Sequence, residues 1–292
     1  MTDSRPRWPL LAITLLLTSC TSTAAVETET PRVDIAAEIA GVETRNDAIV
    51  GIYALDTATG TEVEYRSDER FAYASTIKAL AAAAVLHRPD TDVDELVTYT
   101  ADDLVDYSPV TQQHVDTGMT LNAVIDAAIR DSDNTAGNLL LRELGGPEAL
   151  RADLRAIGDD TTEPARWEPE LNEFTPGDDR DTSTAAALGT SLLRYASEVL
   201  DEDARARLVS AMLGTRTGDD LIRAAVPDTW RVADKTGTGG HGTRNDIALL
   251  WPSEGADPVV LAVLTRSVAP DGEPSDALVA ESAGVALAAL GW

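Results

Sequence analysis

Strand-like sequence stands near the two ends of this chain and helix-like sequence fills the long stretch between, an order that few folds accommodate. Near the start, Ala48–Leu55 and Glu62–Tyr65 flank Asp56-Thr57-Ala58-Thr59-Gly60, a strand, turn, strand pattern that predicts a hairpin. Near the end, Trp230–Asp234, Asp246–Trp251 and Pro258–Thr265 are β-branched or aliphatic runs of strand length. Between them, helices are predicted over Thr76–His87, Leu121–Ile129, Asn134–Leu144, Pro147–Ile157, Thr184–Leu200 and Asp203–Leu213, each bounded by Gly, Pro, Asp or Ser. The expected class is α/β in the α+β sense. One antiparallel sheet is built from the N- and C-terminal segments and covered by helices at Val33–Val42 and Ala277–Leu290, with an all-α lobe inserted between. The boundaries place the sheet lobe at about 31–68 and 215–292 and the helical lobe at about 69–214. Gly158–Asp181 has many acidic residues, three prolines and no period, and a loop that long inside a domain is usually functional.

The first thirty residues read differently. Arg5 and Arg7 precede the apolar stretch Leu10–Leu17, too short for a mature membrane span, so 1–19 is expected to be an export signal. Leu17-Thr18-Ser19-Cys20 resembles a bacterial lipobox, which makes Cys20, the only cysteine, the expected lipidation point. Residues 20–30, rich in Thr, Ala, Ser and Glu, suit a flexible tether. The expected location is extracytoplasmic, with membrane contact only through that lipid. A net charge of −27 argues against nucleic acid and against an anionic membrane face. It also means that an anionic substrate, repelled at long range, needs local cations in its site.

Among the 23 basic residues only Lys78 and Lys235 are lysines. Arginine stays protonated in proteins, whereas a desolvated lysine can lose its proton and act as a base. Both lysines lie in short polar motifs. Ser75-Thr76-Ile77-Lys78 opens a helix and sets a nucleophile and an amine on one face. Ser132-Asp133-Asn134 stands at the start of another helix, where Asp or Ser alone would be read as a cap. Lys235-Thr236-Gly237 is expected to end a strand and lead into a Gly-rich turn. Each motif is weak by itself; together, and using both lysines, they point to nucleophilic catalysis at Ser75.

In that combination the chain resembles the class A serine β-lactamases from about Pro31 onward. Arg166-Trp167-Glu168-Pro169-Glu170-Leu171-Asn172 and Pro176-Gly177-Asp178-Asp179-Arg180-Asp181 resemble that family's Ω-loop. The resemblance implies that Ser75 attacks the β-lactam carbonyl, with Lys78 or Glu168 as base, and that Ser132 protonates the leaving nitrogen. It makes Glu168, with Asn172, the group that activates the deacylating water, Glu163, Glu170 and Glu173 being the other carboxylates on the segment. Arg166 and Asp181 would pin the loop. Substrate contacts are implied for Lys235, Thr236, Gly237, Thr238 and Arg244 toward the carboxylate and oxyanion, for Asn134 toward the side-chain amide, and for Tyr107 as a wall of the cleft. No cofactor or metal is implied: His87, His114 and His241 lack ligand spacing. The expected partners are small β-lactams and the expected state a monomer. A penicillin-binding D,D-peptidase and a β-lactam sensor lipoprotein that never turns over share most of these parts, and the Glu168 segment argues against both.

Overall fold

The structure is a computed structural model that describes Met1, Thr2 and residues 32–292; the rest of the expected signal sequence, Cys20 and the tether lie outside the described residues. In chain order the strands are β1 (Arg32–Val33), β2 (Ala48–Asp56), β3 (Thr61–Tyr65), β4 (Phe71–Ala72), β5 (Leu96–Val97), β6 (Met119–Thr120), β7 (Thr182–Ser183), β8 (Arg231–Gly239), β9 (Thr243–Trp251) and β10 (Val259–Ser267). The helices are α1 (Ala36–Asn46), α2 (Ile77–His87), α3 (Leu121–Arg130), α4 (Asn134–Leu144), α5 (Pro147–Ala156), α6 (Ala185–Arg194), α7 (Glu202–Leu213) and α8 (Asp276–Leu290). The main sheet has the order β1-β3-β2-β10-β9-β8, so both ends of the chain build it. All its pairings are antiparallel except β1 with β3.

The centre of that sheet explains a run with no polar alternation. Val259, Leu261 and Val263 of β10 face a core made with α1 and α8, while Val260, Ala262 and Leu264 face a second core made with the inserted helices. Side chains alternate between faces, and a strand covered on both is apolar throughout. Close fits recur where the layers meet. A Cβ on Gly189 of α6 would lie 2.7 Å from the Tyr53 ring on β2.

Helix α2 runs through the middle of the helical layer. Its residues Ile77 to Leu86 are all buried, and the Ala-rich sequence lets α3, α4 and α7 approach. A lysine in its first turn therefore sits in a dry interior. Side chains of Thr120, Asp133, Thr184, Asp201 and Ser275 cap α3, α4, α6, α7 and α8.

Three elements differ from expectation. The first helix begins at Ala36 rather than Val33, because Arg32 and Val33 pair with Glu62 and Val63 and Asp34 Oδ1 accepts from Ala36 N at 2.8 Å. The predicted helix over Thr184–Leu200 changes at Tyr195 into a π turn over Tyr195–Val199. Strand β8 does not end at Lys235-Thr236-Gly237; it continues to Gly239, since Thr236, Gly237, Thr238 and Gly239 pair with Asp246, Asn245, Arg244 and Thr243.

Candidate active site

Ser75 lies in a single 3₁₀ turn over Ala74–Thr76, entered through Ala74 in a left-handed conformation at φ 48°. Tyr107 (φ 63°) and Ser132 (φ 57°) share that rare conformation, so three non-glycine residues around one cleft hold strained backbone. The strain is held by interlocking bonds. Asn134 N donates to Tyr107 O at 2.9 Å, and Asp133 accepts from Val110 N at 3.0 Å and Thr111 N at 2.9 Å while capping α4. Asn245 Nδ2 donates to Ala72 O at 2.7 Å, tying the sheet to the chain leading into Ser75.

One turn along α2, Lys78 Nζ meets four oxygens: Ser75 Oγ at 2.9 Å, Ser132 O at 2.8 Å, Asn134 Oδ1 at 2.6 Å and Glu168 Oε1 at 2.9 Å. Burial pushes its pKa below the ordinary lysine value, and the carboxylate of Glu168 works the other way. Gly137 of α4 makes room for this side chain, as a Cβ there would lie 2.7 Å from Lys78 Cε.

Glu168 is buried and reaches within 3.5 Å of Ser75 Oγ. Its neighbours on the loop look elsewhere: Glu163 pairs with Arg155, Glu173 pairs with Arg166 at 2.7 Å, and Glu170 is exposed. Asn172 Nδ2 donates to Glu168 Oε2, while Asn172 Oδ1 is buried without a protein partner among the described residues. The loop is fastened at Asp181. Its carboxylate accepts from Tyr73 OH at 2.7 Å, from Ala165 N and Arg166 N at 3.0 Å each, and from Arg166 Nε at 2.5 Å. Asn138 grips the backbone of Glu168 on both sides, donating to its carbonyl at 2.9 Å and accepting from its N–H at 2.8 Å. Sequence reasoning missed Asn138, although it follows Asn134 by four residues and so shares its helix face.

Strand β8 forms the opposite wall. A Cβ on Gly237 would come within 3.0 Å of Tyr73 O and 3.2 Å of Ala74 Cβ, so a side chain there would push the strand and the turn of Ser75 apart by a few tenths of an ångström. Lys235 is fully buried and donates to Ser132 Oγ at 3.0 Å and Thr236 O at 2.7 Å. Burial and the charge of Lys78 push its pKa down to about 7, against the pull of Asp234 and Asp246. Burial in turn raises Asp234 to about 6 despite its ion pair with Arg223 at 2.6 Å, and burial together with Asp234 raises Asp246 well above the carboxylate range. Arg244 on β9 donates to Thr238 Oγ1 at 2.9 Å and is anchored by Asp276 at 2.5 Å. Asp276, which opens α8, carried no local signal in the sequence.

These walls enclose a cleft of about 520 Å³ into which Ser75, Ser132, Asn134, Asn172, Thr236, Gly237, Thr238 and Arg244 all face, with Tyr107 exposed at its rim. Asn134 lines it with Oδ1 accepting from Lys78 and Nδ2 donating to Asp106 O at 2.9 Å. The cleft thus pairs a serine hydroxyl with an amine and a carboxylate in one dry cluster, and sets a second amine, two hydroxyls and a guanidinium opposite. That is a set suited to acyl transfer from an anionic substrate.

A family model described as the β-lactamase enzyme family matches residues 34–289. A β-lactamase of Bacillus licheniformis is 53% identical over 255 residues, covering 87% of this chain and 83% of that protein. The crystal structure of a halotolerant bacterial β-lactamase is 49% identical with a TM-score of 0.85, covering 87% of this chain and 99% of its own. That of a class A β-lactamase from Clostridium kluyveri DSM 555 is 42% identical with a TM-score of 0.85, covering 88% and 98%.

Proposed function

The chain belongs to the class A β-lactamase family, and from that premise we propose that it hydrolyses penicillin- and cephalosporin-type antibiotics through a Ser75 acyl-enzyme, conferring resistance. Ser75 Oγ bonds to the β-lactam carbonyl carbon, and its proton passes into the cluster of Lys78 and Glu168. Backbone N–H groups of Ser75 and Thr238 receive the oxyanion, a role supported by the close approach of β8 to the Ser75 turn. As the C–N bond breaks, Ser132 gives its proton to the departing nitrogen and takes back from the cluster the proton that Ser75 had lost. Lys235, 3.0 Å from Ser132 Oγ, supplies positive charge beside that oxygen. Water then attacks the ester. Glu168 takes a proton from that water, oriented also by Asn172 Oδ1, and Ser75 leaves with a proton returned from the cluster.

The substrate carboxylate is read by Thr236, Thr238, Lys235 and Arg244, the local cations that a chain of charge −27 requires. Tyr107 walls the cleft and Asn134 meets the substrate's side-chain amide. Arg166 and Asp181 keep the Glu168 segment in place. One observation carries the choice of turnover over a D,D-peptidase or a sensor: the buried Glu168 carboxylate touches Lys78 at 2.9 Å and lies 3.5 Å from Ser75 Oγ. The same reading divides the chain into a sheet lobe (about 31–68 and 215–292) and a helical lobe (about 69–214), with one core between the sheet and α1 and α8 and another joining the sheet to the inserted helices. It also takes the protein to be an exported monomer anchored through lipid at Cys20.

Intact-mass spectrometry of residues 21–292 mixed with a penicillin tests the reading. A transient adduct on Ser75 with accumulating hydrolysed product is the expected result. A lasting adduct without product would make the chain a penicillin-binding protein or sensor instead.

A further inference from the structure

Thr217 belongs to none of the motifs above, yet it touches two of the groups that face the substrate carboxylate. Its Oγ1 lies 2.7 Å from Thr236 Oγ1, and its carbonyl accepts from Arg244 Nη2 at 3.3 Å. The segment carrying it is fastened on both sides. Thr215 Oγ1 donates to Asp234 O at 2.6 Å, and Arg216 pairs with Asp131, the residue before Ser132, at 2.6 Å. A Cβ on the following Gly218 would lie 2.0 Å from Asp234 Oδ2, so the backbone is pressed against β8. Thr217 is thereby held in one register opposite Thr236.

Proton counting at the two hydroxyls gives this contact a direction. The pair carries two protons and shares one hydrogen bond, and each oxygen can both donate and accept. If Thr236 donates to Thr217, it has nothing to offer a carboxylate. If Thr217 donates to Thr236, the Thr236 proton is free to point into the cleft, and accepting one bond strengthens the bond it donates. An anion in the cleft selects the second arrangement. Resting on the reading of the cleft as a β-lactam site, we propose that Thr217 is a positioning residue: its hydroxyl donates to Thr236 Oγ1 and aims the Thr236 proton at the substrate carboxylate, while its carbonyl steadies Arg244.

The test compares Thr217→Val, which keeps shape and carbonyl but removes the hydroxyl, with Thr217→Ser, on a penicillin and on its methyl ester. The Val variant is expected to raise KM for the acid roughly five-fold, the equivalent of one net hydrogen bond, with kcat held within about two-fold. KM for the ester stays put, and Ser restores the acid. Equal rises for acid and ester would reveal a merely structural residue and overturn the proposal. An unchanged KM for the acid would overturn it too, leaving the β-lactam reading intact. A wild-type enzyme that does not prefer acid to ester would overturn both, since the cleft would not be reading a carboxylate.

Discussion

Gly137→Ala separates the demands of the fold from those of the site. Gly137 lies inside α4, where alanine alone would favour the helix by about 0.8–1 kcal/mol. Its Cβ, however, would stand 2.7 Å from Lys78 Cε and 3.4 Å from Cδ. Lys78 is not a free end that can swing aside. Its nitrogen is held by contacts of 2.6 to 2.9 Å on four sides in a buried pocket. Moving Cε from 2.7 Å out to ordinary contact shifts Nζ by a distance that its 2.6 to 2.9 Å contacts, the one to Ser75 Oγ among them, do not all survive. Misplacement of a reacting group by about 1 Å costs on the order of 10²-fold in rate. The expected variant is folded, with a melting temperature close to wild type because helix gain and packing strain oppose each other, and kcat/KM for a chromogenic cephalosporin about 10²-fold lower. Full activity at an unchanged melting temperature would refute the claim that α4 sets the position of Lys78.

Glu168→Gln is expected to form the Ser75 adduct and release it slowly, so the adduct should dominate mass spectra at steady state; wild-type turnover would move the water-activating role elsewhere. Asp181→Asn weakens a buried hub of four hydrogen bonds and should lower stability by about 1.5–3 kcal/mol, read by thermal denaturation. An unaltered melting temperature would mean that the Ω-loop is fastened without it. In the proposed mechanism the charge of Lys235, whose pKa burial and Lys78 push down to about 7, is what an anionic substrate meets. Protonation is complete well below that value and is lost as pH rises through it. The kcat/KM for a penicillin should therefore begin to fall near neutrality, far below the ordinary lysine value of 10.5, and a flat profile to pH 9 would exclude Lys235 as the titrating cation.

What could be read in the sequence and what could not divide by distance along the chain. The hairpin before residue 66 and helices α3 to α5 lie close to their expected bounds, because apolar spacing and local caps define them. The sequence predicts Lys235-Thr236-Gly237 as a strand end leading into a turn and so stops the strand short of Thr238 and Gly239, since Thr and Gly runs carry little strand preference. Their strand exists because β9 offers a ladder, a partner invisible to local reasoning. The paired segments β4–β7 and β5–β6, two residues each, are equally products of tertiary contact. At the site, the groups inside short motifs were legible by their chemistry. Asp276, Asn245 and Thr217 were not, for each acts across a gap of 32 to 173 residues or through a single side-chain contact.

The two candidates for the base in acylation are better described as two positions of one proton. Ser132 O, Asn134 Oδ1 and Glu168 Oε1 can only accept from Lys78, and three such acceptors match the three protons of an ammonium. In that state the nitrogen has no lone pair to offer Ser75. Burial works against the charge, and Glu168 lies 2.9 Å away, close enough to take the proton directly. Once it does, Lys78 is neutral and becomes an acceptor 2.9 Å from Ser75 Oγ. On the proposed mechanism, we infer that the carboxylate discharges the amine before the amine activates the serine. Glu168→Gln should then slow acylation as well as deacylation. The loss is larger in the second step, because an amide cannot take the proton of the attacking water, whereas in the first step burial by itself still favours the neutral amine. Single-turnover rates for the two steps measure this ordering, and acylation at the wild-type rate in the Gln variant would separate Lys78 from Glu168 as independent bases.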